Sequence, residues 1–486
     1  MENENENHYR GVLKYMSLFG GIQGLNAAVA LVRNKLVALL LGPQGMGLSA
    51  LFSSSVKLVA DSTNLGLGMS AVREISEAYS EGDAAKTEAW ICTLRSWCMV
   101  TAIVGTALFA LLSPLLNGMS SSGTDHTLEF LLLSPLVGLM AVSGGETAVL
   151  KATRRLGKLA RLSTYNVVVA LVVSVALFWA FGMAAVAPSL LIVGALQTAL
   201  TVACSYRFFP PRLSLRRGVL ARGLGVVKLG VAFVVAGVMG SGSEFIVRSF
   251  LARVGTESAV GLYNAGYLVA VTYVGMVFAA FETDYFPRLS AVCMRREPAN
   301  GTVNRQAEVS VLLIAPMLLA VLLLLPLLLP LLYSGRFMPV LGMMQVATLS
   351  MLFRAVYLPV EYLTLANGHS KGYCLLESVN DACMVAFVLG GYHLWGLFGT
   401  GVGLSTASVV EVGVSVAYTY YKYGYRPSRS LLRYLAVQLP LVAAGYAVAV
   451  AADGVAYWVG SAALVAASAA LSVLLLGKKT ELWKKR

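Results

Sequence analysis

Long apolar stretches alternate with short polar connections from one end of this 486-residue chain to the other. Fourteen stretches can be read, at about 12–41, 47–72, 89–116, 127–150, 162–182, 184–206, 224–252, 258–285, 308–333, 338–366, 372–392, 395–421, 434–452 and 455–476. Each has at least about 20 residues, enough for a helix to cross roughly 30 Å of hydrocarbon. The pattern predicts an all-α integral membrane protein with about 14 transmembrane helices.

The connections alternate in charge. Those at 151–161, 207–222, 288–305 and 422–433, and the tail from Lys478, are rich in Lys and Arg. The intervening ones hold almost none, Arg253 and Arg336 excepted. Basic connections stay cytoplasmic. Both termini are therefore expected inside, which requires an even number of crossings and suits fourteen. Ser121 and Asp453 are expected outside, and Arg217 and Arg429 inside. Together these features predict a multi-pass membrane protein with both termini cytoplasmic.

Composition adds exclusions. Hydrophobic residues make up 57% of the chain and charged residues 13%, about half the charged share of a soluble domain. The net charge of +13 sits in the cytoplasmic connections, so it reads as topology and contact with anionic membrane lipids, with no nucleic-acid partner. The six cysteines are scattered, without a CxxC pair or a Cys/His cluster. No disulfide, metal or other cofactor is expected. The N-terminus, MENENENHYR, is not a cleavable signal. The longest outward connection, about 117–126, is too short for a folded outer domain, which argues against a polymerase or ligase of sugars. Gly399, Gly401 and Gly403 lie inside an apolar stretch, where they permit close helix packing rather than phosphate binding.

The chain also resembles itself at an offset of about 215 residues. Arg33 matches Arg248, Gly47-Leu48 matches Gly261-Leu262, Arg73 matches Arg288, and Glu146 matches Glu361, in order. The repeat unit is six helices, so the two halves share an orientation, with their symmetry axis along the membrane normal. This predicts a six-helix lobe over 1–206, a basic cytoplasmic linker over 207–223 and a second six-helix lobe over 224–425. An additional helix pair and basic tail occupy 426–486. Two such lobes around a central cavity suit alternating access.

Several charges fall inside the apolar stretches, where a cation costs about 2.5–3.5 kcal/mol or more. Arg95 and Lys228 lie near cytoplasmic ends and can snorkel. Lys57 with Asp61, and Glu244 with Arg248, are four residues apart on one helix and can neutralise each other. Arg33, Lys35 and Arg354 have no acid one turn away. A wall rich in Arg and Lys suits an anionic substrate, because guanidinium matches phosphate oxygens in a bidentate way. A cation-coupled multidrug exporter would instead need acids and aromatics. The expected substrate-binding set is Arg33, Lys35, Lys57, Arg248 and Arg354. Asp61, Glu146 and Glu361 are the expected ion-coupling or gating residues.

The run Leu41-Gly42-Pro43-Gln44-Gly45-Met46-Gly47-Leu48 with Phe52 resembles the first outer loop of Wzx-type lipid-linked oligosaccharide flippases. So do VGLYNAGYLVAV at 260–271, Tyr285-Phe286-Pro287-Arg288-Leu289-Ser290, and Lys151-Ala152-Thr153-Arg154. The resemblance implies the fold of the multidrug/oligosaccharidyl-lipid/polysaccharide exporter superfamily. It also implies a substrate of undecaprenyl diphosphate bearing an oligosaccharide, carried outward for O-antigen or capsule assembly, with polysaccharide polymerases as partners. The additional helix pair resembles the fourteen-helix lipid II flippases, which keeps peptidoglycan precursor export as the alternative. No enzymatic step is expected.

Overall fold

The computed structural model describes residues 2–120 and 123–484. Ser121, and Lys485 and Arg486 of the tail, lie outside the described residues. Among those described, the chain folds into fourteen α-helices and no strand.

Ten helical stretches are long and apolar enough to cross a membrane, and three of them hold far more residues than one crossing needs: Gly24–Thr63, Leu156–Tyr206 and Ser370–Tyr423. The last, of 54 residues, would be a rod of about 80 Å, more than twice the hydrocarbon thickness. Each of the three is broken near its middle. Helix α1 (Glu2–Thr63) leaves helical geometry at Gly42, and Pro43 follows. Proline suits the first turn of a new helical segment, where its missing N–H has no partner to lose. Helices α5 (Leu156–Phe181) and α6 (Val186–Tyr206) are joined through Gly182. They run antiparallel: the Gln197 amide donates to the Asn166 carbonyl at 2.9 Å.

Helix α12 (Ser370–Tyr423) breaks at Trp395 and Gly396. Its halves fold back on each other with their backbones almost touching. A Cβ on Gly399 would stand 1.8 Å from the Gly391 carbonyl oxygen, and one on Gly403 would stand 2.3 Å from that of Phe387. This run of glycines is the seam of a helical hairpin. Counting two crossings for each broken stretch, and adding α7 (Arg217–Val254), gives the fourteen crossings the sequence predicts.

Packing divides the chain into two compact units. The first comprises residues 1–260 with 332–334. Besides α1 and α5–α7 it holds α2 (Leu67–Ser80), α3 (Ala84–Ser120) and α4 (Thr127–Ala152). Helix α2 is short and amphipathic: Leu67, Ala71, Ile75 and Ala78 are buried at the three- and four-residue spacing of one helix face. Leu67, Ala71 and Ile75 form a core with Ile91, Leu94, Cys98, Val149 and Val226.

The second unit comprises residues 261–331 and 335–486. It is built from α9 (Val274–Val292), α10 (Arg296–Leu332), α11 (Leu341–Ala366), α12, α13 (Arg429–Ala451) and α14 (Gly454–Lys484), with α8 (Glu257–Tyr267) leading into it. Tyr285, Leu289, Val303, Val360, Leu363 and Tyr425 form a core here. The Tyr285 hydroxyl donates to the Pro359 carbonyl at 2.7 Å, tying α9 to α11. The last two helices are tied by a buried amide: Gln438 donates to Ser472 at 3.0 Å and accepts from Ser468 at 2.7 Å.

Candidate functional site

Helices α1 and α7 pack along a polar seam inside the first unit. Its register can be followed residue by residue. Lys57 Nζ lies 3.1 Å from Glu244 Oε1, and Arg248 Nη1 lies 3.1 Å from Glu244 Oε2. One turn further along α1, a Cβ on Gly237 would lie 3.8 Å from the Asp61 carboxyl carbon. At the end of the seam, Leu65 and Gly66 meet Gly230 backbone to backbone. Glu244 is thus the shared anion of two cations on different helices, and Lys57 reaches across to α7 instead of pairing with Asp61 along its own helix. The Lys57 and Glu244 side chains keep 46% and 35% of their exposure, while that of Arg248 keeps 14%. Open charges within apolar helices require water or a polar ligand beside them.

The seam ends at a break in the chain. Between α1 and α2, Leu65 and Gly66 adopt left-handed backbone angles, with φ of 53° and 63°. The Asn64 side chain caps the break, its Oδ1 accepting from Gly66 N–H at 2.8 Å. A left-handed leucine costs energy that surrounding contacts must hold in place. Beside the break lies a cavity of about 300 Å³ lined by Asp61, Asn64, Thr101 and several glycines, among them Gly66, Gly144 and Gly237. A carboxylate, an amide, a hydroxyl and accessible backbone form a hydrogen-bonding surface without a strong net charge.

Arg33 lies against α5, where Nε donates to Ser174 Oγ at 3.2 Å. Lys35 is half-buried, and a two-residue offset directs it to a different side of the helix from Arg33. Arg354 belongs to the second unit, its guanidinium 5.6 Å from the Phe278 ring centre, a cation–π distance. Glu146 accepts from Arg95 Nε at 2.8 Å and from Nη2 at 3.0 Å. The same guanidinium donates to the carbonyls of Pro210 and Phe209 and lies over the Tyr206 ring. This buried fork ties α3, α4 and the chain after α6 together. Among the described residues no arginine pairs with Glu361, the repeat counterpart of Glu146: its Oε1 accepts from Ser415, which also bonds Glu411.

In the sequence Glu411 is an embedded acid with no assigned role. Its only local signal is its four-residue spacing to Ser415; the approach of Glu361 from α11 has no linear trace. The shared role of Glu244, and the cavity at the helix break, are likewise absent from the linear pattern. The Asn64-Leu65-Gly66 sequence is the one available sign of a break.

Residues 36–341 match the family described as polysaccharide biosynthesis protein. No curated protein matches the sequence. Among solved structures, the lipid II flippase MurJ in an inward closed conformation superposes with a TM-score of 0.69 at 13% identity, covering 95% of this chain and 99% of that one. An inward-facing multidrug resistance MATE family transporter of the MOP superfamily gives 0.68 at 11% identity, covering 84% and 96%. A MOP superfamily transporter from Pyrococcus furiosus, described by the reverse polarity of its binding pocket, gives 0.55 at 12% identity, covering 84% and 94%. These likenesses establish the fold of MOP superfamily transporters.

Proposed function

Because this chain belongs to the polysaccharide biosynthesis protein family and has the fold of the MOP superfamily transporters, we propose that it is a lipid-linked oligosaccharide flippase. It moves an undecaprenyl-diphosphate-linked sugar from the cytoplasmic to the outer leaflet of the inner membrane, by alternating access, for O-antigen or capsule export. No bond is made or broken. The observation that carries this reading is the seam of Lys57, Glu244 and Arg248 beside a cavity into which Asp61 and Asn64 bring polar groups. Arg248, with Arg33 and Lys35, holds the diphosphate; Lys57 and Arg354 line the sugar path. Asp61, Glu146 and Glu361 are the candidates for ion coupling or gating. Partners are a polysaccharide polymerase and the surrounding lipids.

Export of lipid II is the second reading. It is favoured by the match over nearly the full length of both chains to a lipid II flippase.

The test is complementation of a strain lacking this protein. Arg33→Ala and Arg248→Ala should each leave the protein inserted and lower surface polysaccharide about ten-fold or more, since a charge-assisted hydrogen bond contributes roughly 1.5–3 kcal/mol. Lysine at either position should restore export only in part, because a point charge replaces a fork. Full export by both alanine variants would overturn the assignment. Purified protein given lipid-linked sugar should not lengthen the chain; lengthening would place it among polymerases.

A further inference from the structure

From residue 147 to residue 243 the sequence contains eleven Lys and Arg and not one Asp or Glu. No carboxylate within this stretch can therefore neutralise its cations. Some find partners elsewhere: Arg212 pairs with Glu88, and Arg155 stacks on the Phe208 ring at 3.6 Å. Three others converge. Lys158 and Arg161 on α5, and Arg207 immediately after α6, line one pocket of about 310 Å³ together with Tyr165, Leu200 and Ala203. No ion pair to any of these three cations occurs among the described residues. Exposed like charges gathered without an anion repel one another weakly, so an anionic group between them would be favoured.

The rest of the pocket indicates what carries that group. Two exposed apolar stripes run away from it along the antiparallel helices. On α5 the stripe is Tyr165, Val168 and Val172; on α6 it is Leu200, Leu196 and Ile192. The spacings of three and four residues keep each stripe on one helix face. A tyrosine at the polar end of such a stripe sits where its ring is apolar and its hydroxyl is wet. A soluble anion would need the cations alone. A lipid would use both parts, phosphate against the cations and acyl chains along the stripes.

We propose that the α5–α6 pocket is a binding site for the phosphate headgroup of an anionic diacyl phospholipid, separate from the transport seam of α1 and α7. Lys158, Arg161 and Arg207 hold the phosphate, Tyr165 donates from the rim, and the stripes seat the chains. On the topology proposed above this end faces the cytoplasmic leaflet, where anionic lipids attract basic groups.

The full-length protein, purified in a neutral detergent, is titrated with dioleoylphosphatidylglycerol, and retained lipid is counted by native mass spectrometry. Parallel arms use dioleoylphosphatidylcholine and soluble sn-glycerol 3-phosphate. Phosphatidylglycerol should be retained at a saturable site, and the other two only weakly. Each of Lys158→Gln, Arg161→Gln and Arg207→Gln should weaken retention roughly five-fold, and the triple variant about a hundred-fold. Arg217→Gln with Arg222→Gln, which removes charge from the same stretch outside the pocket, should change nothing. If the triple variant does not fold, the three single variants carry the test. Retention that is equal in pocket and control variants would overturn the proposal. Glycerol phosphate binding as tightly as the lipid would make the pocket a site for a soluble phosphate instead.

Discussion

Glu361 on α11 and Glu411 on α12 converge on one hydroxyl: Ser415 Oγ lies 2.8 Å from Glu361 Oε1 and 3.1 Å from Glu411 Oε1. Both side chains are buried, at 1% and 0% exposure. A hydroxyl carries one hydrogen, so Ser415 serves one carboxylate at a time. An amide at position 411 keeps the shape and offers an N–H toward Glu361. Glu411→Gln should therefore melt at or above the parent temperature in detergent. Glu411→Ala should lose about 1–3 kcal/mol, because it leaves Glu361 with fewer partners and opens a void. A glutamine variant that melts as low as the alanine variant would show that the carboxylate itself stabilises this site.

The backbone contact at the helix break makes a sharper contrast. A Cβ on Gly230 would stand 2.0 Å from the Leu65 carbonyl oxygen, and one on Gly66 would stand 2.3 Å from that of Gly230. Backbone cannot yield as a side-chain tip can, so Gly230→Ala and Gly66→Ala should each destabilise by about 1–3 kcal/mol or more. At Gly237 the nearest atom, in Asp61, is 3.8 Å away, an ordinary contact, so Gly237→Ala should fold normally. Detergent melting curves of the three variants decide the matter. Equal stability throughout would mean that the break is not held by this contact.

Arg95 and Glu146 form a bidentate pair with side chains only 4% and 3% exposed. Removing one partner strands a buried charge, which costs about 3–5 kcal/mol. Arg95→Leu should therefore reduce the amount of folded protein recovered. The double variant Arg95→Leu with Glu146→Leu should regain much of that loss, since apolar groups can replace a buried pair. A double variant no better than the single would mean that the arginine's bonds to the Phe209 and Pro210 carbonyls stabilise the fold more than the ion pair does.

Transport on the proposed reading moves about two negative charges out of a negative interior. Membrane potential contributes roughly 2.3 kcal/mol per charge per 100 mV, hence about 4.6 kcal/mol per 100 mV if both cross uncompensated. The sequence has no GxxxxGK[ST] loop for nucleotide binding. Proteoliposomes with labelled lipid-linked sugar should flip faster under one sign of a potassium diffusion potential than under the other. Equal rates at both signs and at zero potential would eliminate an electrogenic step. Dependence on a pH gradient alone would direct attention to Asp61, Glu146 and Glu361.

Crossing count and helical class were determined by the sequence alone, because water exclusion acts on single segments: twenty apolar residues have few alternatives to a helix in a bilayer. The glycine runs likewise announced close helix approach, realised where Gly391 meets Gly399. The partners of the embedded charges were decided only by tertiary structure. Linear spacing offered Lys57 to Asp61, yet the nearer anion is Glu244, 187 positions away along the chain. Matching positions in the repeat offered Glu146 and Glu361 one role, yet one faces an arginine and the other a second glutamate. The reason is physical. An isolated charge in hydrocarbon is so costly that it takes whichever partner packing brings near, and helix packing joins residues whose separation along the chain carries no local pattern.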